Sequence, residues 1–566
     1  MNFINNNKNL RDNLIIQTIN IIFIGIIFYY SPIDYECDAA NTLMNAKYIY
    51  SLIFSDDTIG ASYSYRAPIY KLIQILSGAF VFDSFFPIIF VHILFSLLMP
   101  SIFYFTILYI NRNFALFSSI LFILSFIPIL HLKLILSVHS MIFAVILSNF
   151  FLIRFVYKKN ISDFYIATFS SLLLLFTRFD GAFIFIGQIL ILSFYLLKID
   201  LTFKIKLKHL LKSYSFIFVT IFLWMTIKAV FVLNISTPVK FIKSFTSLNH
   251  QTGAQLYWSL NNGVRHEINN LNSFNTDSKQ YIKNLLILSN GPNTKKLYDH
   301  LKIFFEKDDI IEHLSFYKNR MEPIYPKNKD MSSEEMFNNH YGKFYPESSK
   351  ITDNIFSENF ESLHYPLHIP GFLVHMYGKP KADKLLLNAS FEIIFSNEQA
   401  QKIFLRNYKD SYGSFKNLKF LVNDNYPSNF TTPWYNLKIF NSANCAKSSL
   451  SNKMFDQYEY QYSKNSNSQM SNYIEQIAST NKTILRNLIG PSILIFLVFI
   501  FFTNKFFLVF VLFASYNVTL LFLSIMASLV VNTKSETYTL VIAFLILLFL
   551  LSGFLNLIKK LNIFKS

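Results

Sequence analysis

Asp34, Glu36 and Asp38 stand within one five-residue window, directly after an apolar run that ends in Tyr29-Tyr30. A helix start needs one capping carboxylate. Three acids beside a bilayer call for water, a cation or a substrate. A carboxylate within hydrogen-bond reach of a hydroxyl or amine can act as a general base. Farther along the same connection, Arg66 lies in the sequence YRAPIY, where Pro68 restricts the backbone before it. Arg178 stands between the apolar stretches LLLLF and FIFI, with Asp180 two residues on. Cationic side chains neutralise phosphate oxygens, Arg in bidentate fashion. Acids near such cations suit group transfer from an anionic lipid-phosphate donor. His131, Lys133 and His139 form a further polar group that could contact phosphate or sugar. Each residue also has a plainer reading. Asp38 can cap the helix that follows it, Arg66 can snorkel to headgroups, Arg178 can pair with Asp180, and the histidines and Lys133 can be ordinary interface residues.

The elements that must position these groups are membrane helices. The chain has 566 residues, is 52% apolar and holds 64 Phe and 33 Tyr, with long apolar runs at both ends. That composition belongs to a polytopic α-helical membrane protein. The formal charge of +17 does not imply nucleic acid, because much of the Lys and Arg lies in short connections and tails. The first apolar run follows Lys8 and Arg11 without a small-residue cleavage pattern, so a retained anchor is expected. The chain has two cysteines, Cys37 and Cys445, too few for a disulfide scaffold or a cysteine metal site. No GxGxxG, Walker A or HExxH motif occurs. His364, His368 and His375 do not have a recognised zinc spacing.

Apolar runs predict spans at residues 14–31, 84–109, 114–130, 140–157, 213–233, 487–504, 506–530 and 538–557. Residues 164–197 read as either one span or two. Basic clusters flank this region, Lys158-Lys159 before it and Lys198 to Lys212 after it. The positive-inside rule puts both clusters on the cytoplasmic side, so an even number of crossings separates them. Two short helices with a turn at Arg178–Gly181 satisfy that. The count is about 10 membrane segments, with both termini cytoplasmic and the acidic stretch and Arg178 on the external face. Three units follow: 1–235, a membrane module with its first external loop at 32–83; 236–486, an external soluble domain of uncertain fold; and 487–566, three helices. Within the external domain, 414–422 reads as strand material and 441–454 as a loop.

Three features resemble polytopic membrane glycosyltransferases of the GT-C type, the group that includes dolichyl-phosphate-mannose-protein mannosyltransferase-like and aminoarabinose transferase-like enzymes. They are the acidic motif after the first membrane helix, YRAPIY before the second span, and LFTRFDGAFIF at the head of an apolar helix. The resemblance covers residues 14–235. It implies a catalytic aspartate in the first external loop. Placing Ala46 on the family's Ala, eight residues after that aspartate, puts Asp38 on the catalytic position. Ala39 and Thr42 depart from the family pattern, which has Glu and an aromatic there, so Asp34 and Glu36 stay in contention. The resemblance also implies that Arg178 lies near the lipid phosphate and that the reaction inverts the anomeric carbon.

The expected activity is transfer of a sugar from a polyprenyl-phosphate donor to a lipid, glycan or protein acceptor on the external face of a cell membrane, on the pattern of a bacterial inner membrane. Asp38, Asp34 and Glu36 are the candidate catalytic acids. Arg178, Arg66, His131, Lys133 and His139 are the candidate phosphate ligands. A divalent cation is compatible with three acids and a phosphate, and nothing in the sequence requires one. Cys37 and Cys445 fall on the same side, where a disulfide could tie the loop to the external domain; two unrelated thiols are the other reading. The competing functions are a transporter or flippase of lipid-linked substrates, and a non-catalytic envelope assembly subunit.

Overall fold

The computed structural model describes residues 6–31, 67–227, 291–306, 379–396, 469–503, 505–527 and 537–560, with isolated positions at 33, 42–43, 46–47, 49–50, 54, 253, 401, 451–454, 456–457 and 460. Helices are α1 Asn6–Tyr30, α2 Pro68–Leu76, α3 Ala79–Phe82, α4 Phe86–Ile110, α5 Ala115–Leu124, α6 Val138–Lys158, α7 Ile161–Thr177, α8 Ala182–Leu197 and α9 Phe203–Ile227. They continue with α10 Pro292–Glu306, α11 Lys379–Ser396, α12 Gln469–Phe496, α13 Phe506–Ala527 and α14 Thr537–Lys560. No strand element occurs among the described residues. Among the described residues, five helices are long and apolar enough to cross a membrane, and four shorter apolar ones lie at Arg112–Leu124, Ile161–Thr177, Ala182–Leu197 and Leu488–Phe502. The chain is a helical membrane protein.

Burial on the helices is one-sided, as expected when the other side meets lipid. On α1, Ile16, Asn20, Ile24 and Ile27 form an enclosed stripe, while Leu14, Ile21, Ile22 and Phe28 face outward. That stripe packs on α4 and α5. Helix α14 is the central one, enclosed along Leu540–Ile546 and touching α4, α6, α12 and α13. Gln188 on α8 joins three helices in the apolar interior. Its Oε1 accepts from Ser171 Oγ of α7 at 2.7 Å and its Nε2 donates to Ser148 Oγ of α6 at 3.0 Å.

Pro100 lies inside α4 and has no N–H to give the carbonyl four residues back, which is Ser96. Asn20 Nδ2 on α1 supplies the missing donor at 2.9 Å. Gln17 Nε2 likewise reaches Leu97 O at 2.8 Å. The buried amide of Asn20 on an apolar helix is thus explained by a proline on its neighbour.

The expected span at 114–130 takes a different form. Helix α5 ends at Leu124, and residues 125–133 run as successive turns. Pro128 cannot continue the helix, and Phe126 takes the left-handed conformation at φ 61°. Irregular backbone survives in an apolar bundle only when protein covers it. Here Ile127, Ile129, His131, Leu132, Lys133 and Leu134 are all buried.

The region 164–197 is two helices, α7 and α8, joined by a short 3-10 turn at Phe179–Gly181. A Cβ on Gly181 would lie 2.4 Å from Leu174 O and 2.7 Å from Met141 Cε, so the turn packs too tightly for any side chain there. The connections at 159, 198 and 505 come together at the opposite end of the bundle. Lys505 Nζ lies 3.4 Å from Val156 O and 4.9 Å from the Tyr157 ring centroid. Within residues 236–486, α10 and α11 pack on each other. Glu392 of α11 caps the start of α10, accepting from Thr294 N at 2.8 Å and Asn293 N at 3.1 Å. Residues 414–422 and 441–450 lie outside the described residues.

Candidate functional site

Three stretches far apart in sequence meet at one end of the bundle. The first is the turn 178–181. Arg178 Nε lies 3.0 Å from Asp180 Oδ1, and its Nη2 donates to Asp180 Oδ2 at 3.1 Å. One edge of the guanidinium is therefore committed to Asp180, while Nη1 reaches toward Ser137 Oγ at 3.5 Å. Tyr538 Oη, in the first turn of α14, donates to Asp180 Oδ2 at 2.8 Å. The Arg178 side chain remains about a quarter exposed, at 23%.

The second stretch is the irregular chain 125–137. His131 Nε2 lies 3.0 Å from Thr537 Oγ1, so the first two residues of α14 tie His131 to the Arg178–Asp180 pair. Lys133 Nζ donates to Ser31 O at 2.6 Å and lies 5.0 Å from the Phe28 ring centroid, at the end of α1. The third stretch is that end of α1 itself. The connection bearing Asp34, Glu36, Asp38 and Arg66 starts after Ser31 and ends before Ala67 and α2, and its described positions Ile33, Leu43 and Ala46 are buried.

Helix α2 is inverted relative to a soluble amphipathic helix. Its enclosed face carries Tyr70, Lys71, Gln74 and Ile75, while Leu72 and Leu76 point outward. Pro68 at its first turn fixes the helical start, where a missing N–H costs nothing. The Tyr70 ring stacks on His92 of α4 with centroids 5.9 Å apart.

His139 lies deeper than the lip and is fully enclosed. Its Nε2 is 3.0 Å from His92 O, and a carbonyl can only accept, so Nε2 carries the proton. The same Nε2 lies 3.1 Å from Ser96 Oγ, whose own proton goes to Pro128 O at 2.8 Å. His92 Nδ1 donates to Leu132 O at 3.0 Å by the same reasoning. Thus His92 and Ser96 of α4 hold the broken chain at Pro128 and Leu132, and that chain presents His131, Lys133 and Ser137.

The structure brings Arg178, His131 and Lys133 to one end of the bundle and encloses His139 beneath them. Asp34, Glu36, Asp38, Arg66, Cys37 and Cys445 lie outside the described residues. Sequence reasoning missed Tyr538, Thr537, Ser137, His92 and Ser96. The signal for Tyr538 was present in part, because the polar stretch Asn532–Glu536 placed a helix start beside it. Nothing local marked His92, whose partner is forty residues away. Among the described residues no cluster of His, Cys, Asp and Glu is sized to hold a metal.

Electrostatically, the site combines the Arg178 guanidinium and the Lys133 ammonium with the amino-terminal end of the 24-residue α14. Such a helix end carries about half a positive charge and favours an anion. Asp180 offsets part of that field. Chemically, the assembly can hold a phosphate beside whatever the acidic connection contributes. No protein-family model, curated protein or solved structure matches the chain.

Proposed function

We propose that the chain is an inverting membrane glycosyltransferase of the GT-C kind. It moves a sugar from a polyprenyl-phosphate donor to an acceptor at the end of the bundle that carries Arg178. The observation behind this reading is the convergence there of Arg178, Lys133, His131 and the start of α14, beside Ser31, where the connection that holds Asp34, Glu36 and Asp38 begins. The acceptor's nucleophilic oxygen or nitrogen forms a bond to the anomeric carbon as the bond to the phosphate oxygen breaks. The loop carboxylate, Asp38 in the first instance, takes the acceptor's proton. The electron pair leaves on polyprenyl phosphate, a weak base that needs charge neutralisation rather than a general acid, and Arg178 and Lys133 supply it. This face is external and the basic face cytoplasmic, in keeping with the positive-inside rule. The membrane is that of a bacterial cell, and the region 236–486 selects the acceptor.

The test uses the purified full chain in nanodiscs with a polyprenyl-phosphate sugar, a panel of acceptors, and the variants D38N and R178Q. Wild type is expected to release polyprenyl phosphate. D38N is expected to retain donor binding and lose transfer, and R178Q to lose donor binding at least tenfold. Equal transfer by wild type and D38N would overturn the assignment of the base. If wild type neither binds nor consumes the donor, the glycosyltransferase reading fails and a transport or assembly role takes its place.

A further inference from the structure

At the end of the bundle opposite Arg178, three lysines from three different connections gather with no carboxylate among them. Lys159 is the C-cap of α6, at φ 55°, and Lys198 is the C-cap of α8. Lys505 immediately precedes α13, and its carbonyl accepts from Val509 N at 3.2 Å, so it caps the start of that helix. Lys505 Nζ sits 4.9 Å from the Tyr157 ring centroid and 5.5 Å from that of Tyr195. Lys198 Nζ lies 4.3 Å from the Phe194 ring centroid, and Phe194 stacks on Phe507 of α13 at 3.8 Å. The ion pairs among the described residues are Arg11–Asp12, Arg154–Asp163 and Arg178–Asp180, and none of them uses these lysines. Asp163 is committed to Arg154 at 2.9 Å, and the exposed Asp200 pairs with none of the three.

Capping of helix carboxyl ends accounts for part of this arrangement. The ends of α6 and α8 together present about one negative charge, and the start of α13 returns about half a positive one. Three ammonium groups therefore leave an excess of about two and a half positive charges. Lysine is also the wrong sign for the start of α13, where an anion is favoured. The electrostatics agree with this count: burial, then Lys159 and then Lys198, push the Lys505 ammonium below its usual range. Lys505, half-buried beside two exposed ammonium groups, gains most from an anion placed among the three.

We propose that Lys159, Lys198 and Lys505 form a binding site for the phosphate of an anionic membrane lipid. Lipid is the source because the cluster borders the lipid-facing surface. Leu197, Phe501, Phe506 and Phe510 are exposed apolar side chains beside it, able to lie along acyl chains. Tyr157 and Tyr195 flank the ammonium of Lys505 as aromatic residues do at headgroup level. The headgroup phosphate sits among the three lysines at the start of α13, and the acyl chains run along the outer faces of α8 and α13. This site is independent of the Arg178 end and of any activity there.

The experiment is native mass spectrometry of the detergent-purified full chain, titrated with short-chain phosphatidylglycerol, with phosphatidylcholine and with sodium phosphate. Wild type is expected to bind phosphatidylglycerol at least tenfold more tightly than phosphatidylcholine. The triple variant K159Q/K198Q/K505Q is expected to lose about a hundredfold in that affinity, at roughly fivefold per lysine. K198E, a change at an exposed cap that leaves the bundle intact, is expected to lose tenfold or more and serves if the triple variant fails to fold. Equal binding of the two lipids, or undiminished binding by K198E or by a folded triple variant, overturns the proposal. Sodium phosphate binding as tightly as phosphatidylglycerol overturns the lipid source and makes the cluster a site for a soluble anion.

Discussion

Replacing Asn20 with Leu tests how the bundle tolerates a proline. Pro100 leaves Ser96 O without its helical donor, and Asn20 Nδ2 supplies one from α1 at 2.9 Å. In N20L that carbonyl becomes an orphan in an apolar interior, a cost of about 1–3 kcal/mol. The same change also removes Asn20 Oδ1, a buried atom with no partner among the described residues, which returns a comparable amount. The single variant therefore mixes two opposing effects, and a double-mutant cycle with P100A separates them. In P100A the residue at 100 regains its N–H and satisfies Ser96 O within α4. Removing Asn20 then costs only what its other contacts are worth, and the Oδ1 contribution cancels. The expected coupling is about 1 kcal/mol, within the ~0.6–1.7 kcal/mol measured for side-chain hydrogen bonds in membrane bundles. The assay is reversible unfolding of the full chain in mixed micelles, for wild type, N20L, P100A and the double variant. A coupling indistinguishable from zero would refute the reasoning that a proline is the reason for the buried amide.

Four other outcomes are expected. G181A, whose new Cβ would meet Leu174 O at 2.4 Å, should lower stability by about 1–3 kcal/mol in thermal unfolding, whereas G25A, with nothing within 4 Å, should be neutral or better. Y538F removes the bond to Asp180 Oδ2, and should weaken polyprenyl-phosphate binding about fivefold while R178Q costs at least tenfold, as measured by lipid titration. H92N keeps an N–H where Nδ1 donates to Leu132 O and should unfold close to wild type, whereas H92L should lose about 1–3 kcal/mol by orphaning that carbonyl. At Glu392, burial raises the carboxyl pKa, but hydrogen bonds from Asn293 and Thr294 outweigh it and hold the folded value below the ordinary 4.5. Its contribution is therefore present above about pH 4.5 and lost as pH falls through the folded value. The protection factor of amides at the start of α10, the unstructured chain's exchange rate at the same pH over the observed one, should fall in wild type as pH drops below 4.5 through the folded value, and in E392Q should already be low at neutral pH.

Much of the frame was legible because lipid imposes few choices. Apolar length located α1, α4, α6, α13 and α14. Charge arithmetic resolved 164–197 into two helices, since Lys158-Lys159 and the basic run from Lys198 had to share a side. The gathering of Lys159, Lys198 and Lys505 at one end follows the same rule. The segment 114–130 was not legible as it stands, because Pro128 in an apolar run reads equally as a kink within a span or as its end. What decides between them is whether remote groups satisfy the freed backbone, and no local pattern records that. Tyr538 and Asp180 are 358 residues apart, and Ser96 and Pro128 are 32 apart. Arg178 was legible as a lone cation between apolar stretches. Its Asp180 partner was legible too, from spacing alone, but the clasp on that pair by the start of α14 was not.

One set of buried polar side chains in this bundle forms a connected line. Asn20 bonds the carbonyl freed by Pro100, and Ser96, whose carbonyl that is, sends its hydroxyl proton to Pro128 O. His139 leans on Ser96 and on His92 O, and His92 holds Leu132 O. From Leu132 the chain runs one residue either way to His131, bonded to Thr537, and to Lys133, bonded to the end of α1. A line of hydrogen bonds thus links α1, through α4 and α6, to the broken segment and the start of α14. A continuous helix over 114–130 would have left Pro128 O and Leu132 O bonded within itself or free of these partners, with no call on Ser96 or His92. The bundle instead keeps an irregular backbone at a depth where each unsatisfied group costs several kcal/mol, and uses a Ser and two His to hold it. What that irregularity delivers is His131, Lys133 and Ser137 at the same place as Arg178. That is the physical argument for a working site at this end rather than a passive rim.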